Sequence, residues 1–361
     1  MSGSQGALIW GFLSTKMTLS QTKYTQILQE YSSVEIGFTD RFSKLDTKKF
    51  AKIQVIDGSE FEIFCDSLKV NDISVICSDD ADFPQALSIL DDAVIVLFFQ
   101  GNISLLRAQG SFLSVVGARD LSGYGKTMIS QLLEPIIRQV VVVSGLAYGA
   151  DKEAHLVAVT HNMPTIAVVG SGLDDAVFYP NQHISLKQQI VEQGGLVISE
   201  YAPGIEPSRF SFPRRNRIIA ALSPVTLVIQ ANIKSGSLIT ASVARDLGKT
   251  VCTIPARLTD IEFSGNIMLL GQGAQLITNS EDLATTLALS SSLPTIAQTS
   301  IQFTNEHQRI VYELLTSVDS LGFDAIANTT QLSHPHLTTT LTMLELSGYI
   351  QQTLEGDWKR A

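Results

Sequence analysis

The stretch Val140-Val141-Val142-Val143-Ser144-Gly145-Leu146-Ala147-Tyr148-Gly149-Ala150-Asp151 decides the fold of this chain. Four successive valines, with no polar alternation, read as a strand covered on both faces, the pattern of a parallel sheet. A glycine-bearing turn follows, and Asp151 opens a helix-length segment. The unit recurs. Apolar, β-branched runs lie at Leu113–Val116, Val140–Val143, Ile166–Val169, Leu196–Ile198, Val225–Ile229 and Thr250–Ile254, roughly 25 to 30 residues apart. This rhythm of strand, turn and helix predicts an α/β fold, an extended Rossmann-like, doubly wound, mostly parallel sheet. Ligands of such a sheet sit at the carboxyl ends of its strands.

Outward from this core, Ile73–Cys77 reads as a short strand, Phe83–Leu87 as a short helix and Val94–Phe99 as a buried strand ending at Gly101-Asn102. The expected domains are a small N-terminal helical domain over 1–72, with helices around Leu19–Tyr31 and Asp46–Val55, and the Rossmann-like domain over 73–283. A Ser/Thr/Leu-rich linker is expected over 284–303. Residues 304–361 read as three short helices (Asn305–Leu315, Phe323–Thr329, Pro335–Gly348) and a two-stranded hairpin, a winged-helix pattern. Gln331–Tyr349 contains no Lys or Arg, so its third helix is not expected to read duplex DNA through the major groove. A protein-contact or accessory role is the expectation there.

With 361 residues and 45% hydrophobic content, about two or three domains with ample cores are expected. No apolar run reaches the roughly 18 residues of a membrane helix, and the N-terminus has no basic region or cleavage site of a signal peptide. Cys65, Cys77 and Cys252 are odd in number and lack metal-ligand spacing, so reduced thiols in a cytoplasm are expected, with neither metal nor cofactor.

The formal charge is −10, yet from Arg209 to Arg257 eight Lys/Arg face a single acid, Asp246. At the heart of this basic island stands Phe212-Pro213-Arg214-Arg215-Asn216-Arg217. Three guanidiniums in four residues are not expected all to pair internally, and Pro213, read as the first helical residue, would point them at the ligand edge. Such an island attracts phosphate. Glycine loops mark where phosphates would sit: Gly117 and Arg119 after the first core strand, Ser144, Gly145 and Gly149 after the second, Gly170 and Gly172 after the third. Tyr179-Pro180-Asn181 and Ser199-Glu200-Tyr201 add further turns. Lys234-Ser235-Gly236-Ser237 opens a helix after the fifth strand, with expected N-cap hydroxyls and free amides. Neither GxGxxG nor GxxxxGK[ST] occurs. Asp151 and His155 stand at i, i+4, a spacing open to acid–base work, but no nucleophile accompanies them. The favoured reading is that Asp151 caps the helix and holds His155. Tyr124, Tyr148, Phe178 and Tyr179 are the aromatics on this edge, each open to base stacking or plain packing.

These motifs, in this number and order, closely resemble the DNA-processing protein A (DprA/Smf) family: Val116-Gly117-Ala118-Arg119, Ser144 to Asp151 with His155, Gly172-Leu173-Asp174 with Tyr179-Pro180, Ser199-Glu200-Tyr201, Phe212 to Ile219, and Ser235 to Ala241. The likeness spans roughly Ile73 to Leu283 and, more loosely, the tail; residues 1–72 stand where the family has a small SAM-like domain. The resemblance implies a non-enzymatic protein that binds and protects incoming single-stranded DNA in natural transformation and loads RecA recombinase onto it, as a homodimer. It implies DNA contacts at Arg119 and at Arg215-Asn216-Arg217, to which the loop readings add Gly117, Ser144, Gly145, Gly149, Gly170, Gly172, Asn181, Arg214, Lys234, Ser235, Gly236 and Ser237. Two departures, Asn181 in place of a lysine and Ala256 in place of a glycine, imply weaker or altered affinity. The rival is a nucleotide-hydrolysing, phosphoribohydrolase-like enzyme using Asp151, Asp174 or Glu200; the PGGxGT-type loop of that group is absent.

Overall fold

A computed structural model describes residues 4–54, 58–107, 111–289, 303, 306–316, 320–347, 349–353 and 356–360. The chain divides into two compact units, Met1–Leu293 and Pro294–Ala361.

In the first unit five helices lead: α1 (Gln5–Lys16), α2 (Gln21–Glu30), α3 (Val34–Thr39), α4 (Thr47–Gln54) and α5 (Gly58–Val70). The sheet follows, with β1 (Ser74–Cys77), β2 (Val96–Gly101), β3 (Ser111–Val116), β4 (Val140–Ser144), β5 (Thr165–Val169), β6 (Leu196–Ser199), β7 (Val225–Val228), β8 (Thr250–Thr253) and β9 (Gln275–Leu276). Between strands run α6 (Gly123–Leu133), α7 (Ala150–Thr160), α8 (Ile184–Glu192), α9 (Ser211–Leu222), α10 (Ser237–Asp246) and α11 (Ser264–Gly271), and α12 (Ser280–Thr286) closes the unit. The strand order is β1-β2-β6-β5-β4-β3-β7-β8-β9. Strands β3 to β9 pair in parallel, whereas β1 and β2 run antiparallel at one side.

Alternation along the strands shows which face each layer covers. Val142 joins the core under α6, α7 and α12, while its neighbour Val143 joins the opposite core under α9 and α10. Phe98 and Phe99 of β2 split in the same way, Phe98 meeting Trp10, Phe12 and Leu13 of α1. Both faces are therefore dry, as the continuous apolar strands require. The chain winds outward through β3, β4, β5 and β6, then returns to lay β7 on the other side of β3. The loops after β3 and β7 diverge at that reversal, the place where an open α/β sheet has a crevice.

Several expectations need correction. Helices α1 and α5 escaped the sequence reading; α1 is so apolar that it lacks the periodic polar face by which surface helices are recognised. Residues 1–72 do not carry a core of their own, because α1 and α5 bury Trp10, Phe12, Phe64 and Leu68 in one cluster with Val75, Phe98 and Val197 of the sheet. The linker expected over 284–303 does not start at 284, since Ala284 and Leu287 are buried at the end of α12; 290–302 lies outside the described residues.

The second unit holds α13 (Glu306–Leu314), α14 (Phe323–Thr330) and α15 (His334–Leu346) with the antiparallel hairpin β10 (Ile350–Gln352) and β11 (Trp358–Arg360). Val311, Leu315, Ile326, Leu337, Leu341, Leu344 and Ile350 form its core. This is a winged helix, and α15 contains no Lys or Arg.

The loops at the crevice are held by buried amides. Asn266, fully buried, accepts from Ala231 N–H (2.8 Å) and donates to Ile229 carbonyl (2.9 Å) and Thr253 hydroxyl (2.7 Å), joining α11 to the ends of β7 and β8. Asn266→Ala would strand the Ala231 N–H away from water; urea denaturation should show a loss of about 3 kcal/mol.

Candidate functional site

A cleft of about 870 Å³ opens at the crevice. One wall is the loop after β3, Gly117 to Asp120; the other is the loop after β7 together with the first turns of α9 and α10. Gln230, 2% exposed, clamps them together. Its side-chain oxygen accepts from the Ser122 amide (2.9 Å) and hydroxyl (2.7 Å), its Nε2 donates to Asp120 carbonyl (3.2 Å), and its own carbonyl accepts from Ala118 N–H (2.7 Å). Gly149 then lets the loop after β4 close in. It has φ +69°, and a Cβ there would lie 2.2 Å from the Ala118 carbonyl oxygen, so both conformation and space demand glycine.

The arginine cluster divides by partner. Arg217 donates through Nη2 to both oxygens of Glu200 (2.6 and 2.7 Å). Arg214 lies 3.2 Å from Asp92 and 3.8 Å from Glu200. Burial pushes the Glu200 carboxyl up, and Arg217 and Arg214 oppose that shift. These two arginines are therefore neutralised within the fold, contrary to the expectation that three neighbouring guanidiniums could not all find partners. The acids responsible are distant in sequence. Arg215 is buried as well: Nη1 donates to the Gly145 carbonyl (2.5 Å) and to that of Val168, and Nε to Asn216 Oδ1 (3.1 Å). Burial lowers its pKa to about 10, with Asp151 countering and Arg119 adding to the effect, so it stays charged at neutral pH. Gly145 is glycine because a Cβ would meet this guanidinium at 2.4 Å. Pro213 is the third residue of α9, not the first.

On the loops at the carboxyl edge of the sheet Arg119, Arg209, Lys234 and Arg257 are exposed and form no ion pair among the described residues. Arg119 stands over the Phe212 ring, 5.0 Å to its centroid, and Phe212 leads to Tyr179 (5.6 Å) and on to Tyr148 (6.3 Å). An arginine and three aromatic rings thus form a continuous row that begins in the cleft.

Of the residues singled out from sequence, Gly117, Arg119, Arg215, Asn216, Lys234, Ser235, Gly236 and Ser237 line the cleft. Ser144, Gly145, Gly149, Gly170, Gly172, Asn181, Arg214 and Arg217 do not. Ser144 hydroxyl is spent on Val115 carbonyl (2.6 Å), and Gly170 gives room to Phe212 and Ser211. Asn181 is exposed and opens a short turn. The N-cap position of α10 is Gly236, not a serine; the Ser235 hydroxyl bonds that of Ser237 (2.7 Å) and accepts from Ser237 N–H at a long 3.4 Å. Nor does Asp151 hold His155. Asp151 accepts from Ala147 N–H (3.4 Å), and His155 bonds Thr165 hydroxyl (2.9 Å), because its ring turns toward β5. Sequence reading quoted Phe212 and counted Arg209 but gave neither a contact role, and it missed Gln230. A buried glutamine gives no pattern, but Phe212 and Arg209 flank the arginine cluster and were within its reach. Phe178, a stacking candidate, is buried under Lys187.

Comparison with known proteins places this geometry. Residues 74–288 match the family model of DNA recombination-mediator protein A, and residues 295–356 that of the DprA winged helix domain. The chain is 40% identical over 201 residues to DNA processing protein DprA of Streptococcus pneumoniae, covering 56% of this chain and 70% of that protein. It is 34% identical over 284 residues to protein Smf of Escherichia coli, covering 76% and 74%. Among solved structures, the S. pneumoniae protein superposes with TM-score 0.63 at 31% identity, covering 79% of this chain and 98% of that one. DNA processing protein A from Helicobacter pylori, a single-stranded DNA binder, superposes with TM-score 0.53 at 31% identity, covering 60% and 95%. With its sheet, cleft loops and winged helix all matched, the chain belongs to the DNA recombination-mediator protein A (DprA/Smf) family.

Proposed function

We propose that this protein binds single-stranded DNA in the cleft, without turnover, and delivers it to RecA recombinase during natural transformation, acting in the cytoplasm as a homodimer. The observation that carries the binding step is the row of Arg119, Phe212 and Tyr179 in one concave site with Lys234. Cations without internal partners call for phosphate, and ring faces beside them suit unpaired bases, which any sequence of a single strand supplies. The single-stranded DNA binding of the H. pylori relative supports the same reading. Delivery to RecA and dimer formation rest on the family resemblance.

The roles of the arginines follow from their surroundings. Arg119, Arg209 and Lys234 grip phosphate. Arg215 reaches the cleft floor but chiefly ties α9 to the ends of β4 and β5. Arg214 and Arg217 brace α9 through Asp92 and Glu200. With three phosphate contacts, log affinity for a single strand should fall against log salt with a slope of about −2, or about 20-fold from about 50 to about 200 mM. Arg119→Ala combined with Lys234→Ala should flatten that slope by about 1.4, with the thermal midpoint unchanged; an unaltered slope would remove the cleft from DNA binding. Glu200→Gln should do the reverse. Leaving Arg217 buried without its carboxylate should cost about 3 kcal/mol in stability, read by thermal denaturation, while the salt slope stays as in the parent.

A further inference from the structure

Three successive loops at the carboxyl edge carry the same two-residue device, an exposed cation beside an exposed large apolar side chain. After β6 it is Arg209 with Phe210, the guanidinium 4.7 Å from the ring centroid and Phe210 70% exposed. After β7 it is Lys234 with Ile233, 65% exposed, and after β8 it is Arg257 with Leu258, 86% exposed. Ile261 of that last loop is 80% exposed. Arg209 and Lys234 line the cleft, but Arg257 and Leu258 lie outside it. The loop after β8 is nonetheless continuous with the cleft. Its Glu262 lines the same wall, and Gly265 N–H, at the start of α11, bonds the Ala231 carbonyl (2.8 Å), fixing it beside the Lys234 loop.

Large apolar side chains left this open, on successive loops of one sheet edge, mark a contact surface. A partner matching cation and apolar group in turn must present negative charge and flat apolar faces in the same alternation. A single strand has that repeat, one phosphate and one base per nucleotide.

We infer that the strand bound in the cleft continues over the loop after β8, with phosphate on Arg257 and base faces on Leu258 and Ile261. This outer segment rests on the single-stranded DNA reading of the cleft and extends it to a subsite on the next loop.

The test compares oligothymidylates of about 6 and about 20 nucleotides, chosen against the ~4–16 nucleotides of a typical single-strand binding fold, on the full chain and on the double variant Arg257→Ala/Leu258→Ser. The longer oligomer should bind the variant about tenfold more weakly, with its salt slope reduced by about 0.7, while affinity for the shorter one is unchanged. Equal loss at both lengths would place Arg257 inside the primary site and overturn the outer segment, as would full retention of long-oligomer affinity, which would leave the patch to a protein partner. If the parent protein binds neither oligomer, the reading of the cleft itself fails and the extension with it. Both side chains are exposed, and a thermal midpoint equal to that of the parent confirms that the variant is folded.

Discussion

The guanidinium of Arg215, buried against the carbonyls of Gly145 and Val168, is the interaction on which the site depends. It fixes the first turns of α9 to the ends of β4 and β5, and so sets Phe212 opposite Arg119. A buried cation on neutral carbonyls is costly without compensation; the nearby Asp151 carboxylate supplies part of it. Two further arginines of the same helix reach Glu200 and Asp92. A single basic motif thus turns inward at three points and forms the frame of the cleft.

Division of labour follows from this arrangement. Guanidiniums that have carboxylates or carbonyls as partners hold the backbone; those without partners, on flexible stems at the rim, meet solvent and anions. Stability and binding can then be changed separately, since the bracing arginines sit on α9 and the free cations on the loops around it. The winged helix is built differently: α15 has one acid, Glu345, and no Lys or Arg to meet phosphate, whereas the sheet edge offers four exposed cations.

The fold was legible because dry strands announce themselves: unbroken Val and Ile runs at regular intervals leave few alternatives to a parallel sheet, and six such runs became β3 to β8. The N-terminal helices were hard to read because α1, Gln5–Lys16, is buried on most sides and has no polar stripe. The glycine loops were legible as loops, but glycine marks close approach of any group; Gly145 makes room for an arginine and Gly170 for Phe212 rather than for phosphate. Pairing across the fold was invisible, since Asp92 and Glu200 stand far from Arg217 in sequence and only the sheet brings them together. Charge counted along the chain therefore overstated the free positive charge of the motif relative to cations outside it such as Arg209.

Crystallographic analysis of the protein with a bound oligothymidylate would test the central claim most directly. The account predicts phosphates against Arg119 and Lys234 and a base face near Phe212, with Arg217 still paired to Glu200. Phosphates seated on Arg214 and Arg217, with Glu200 displaced, would contradict it.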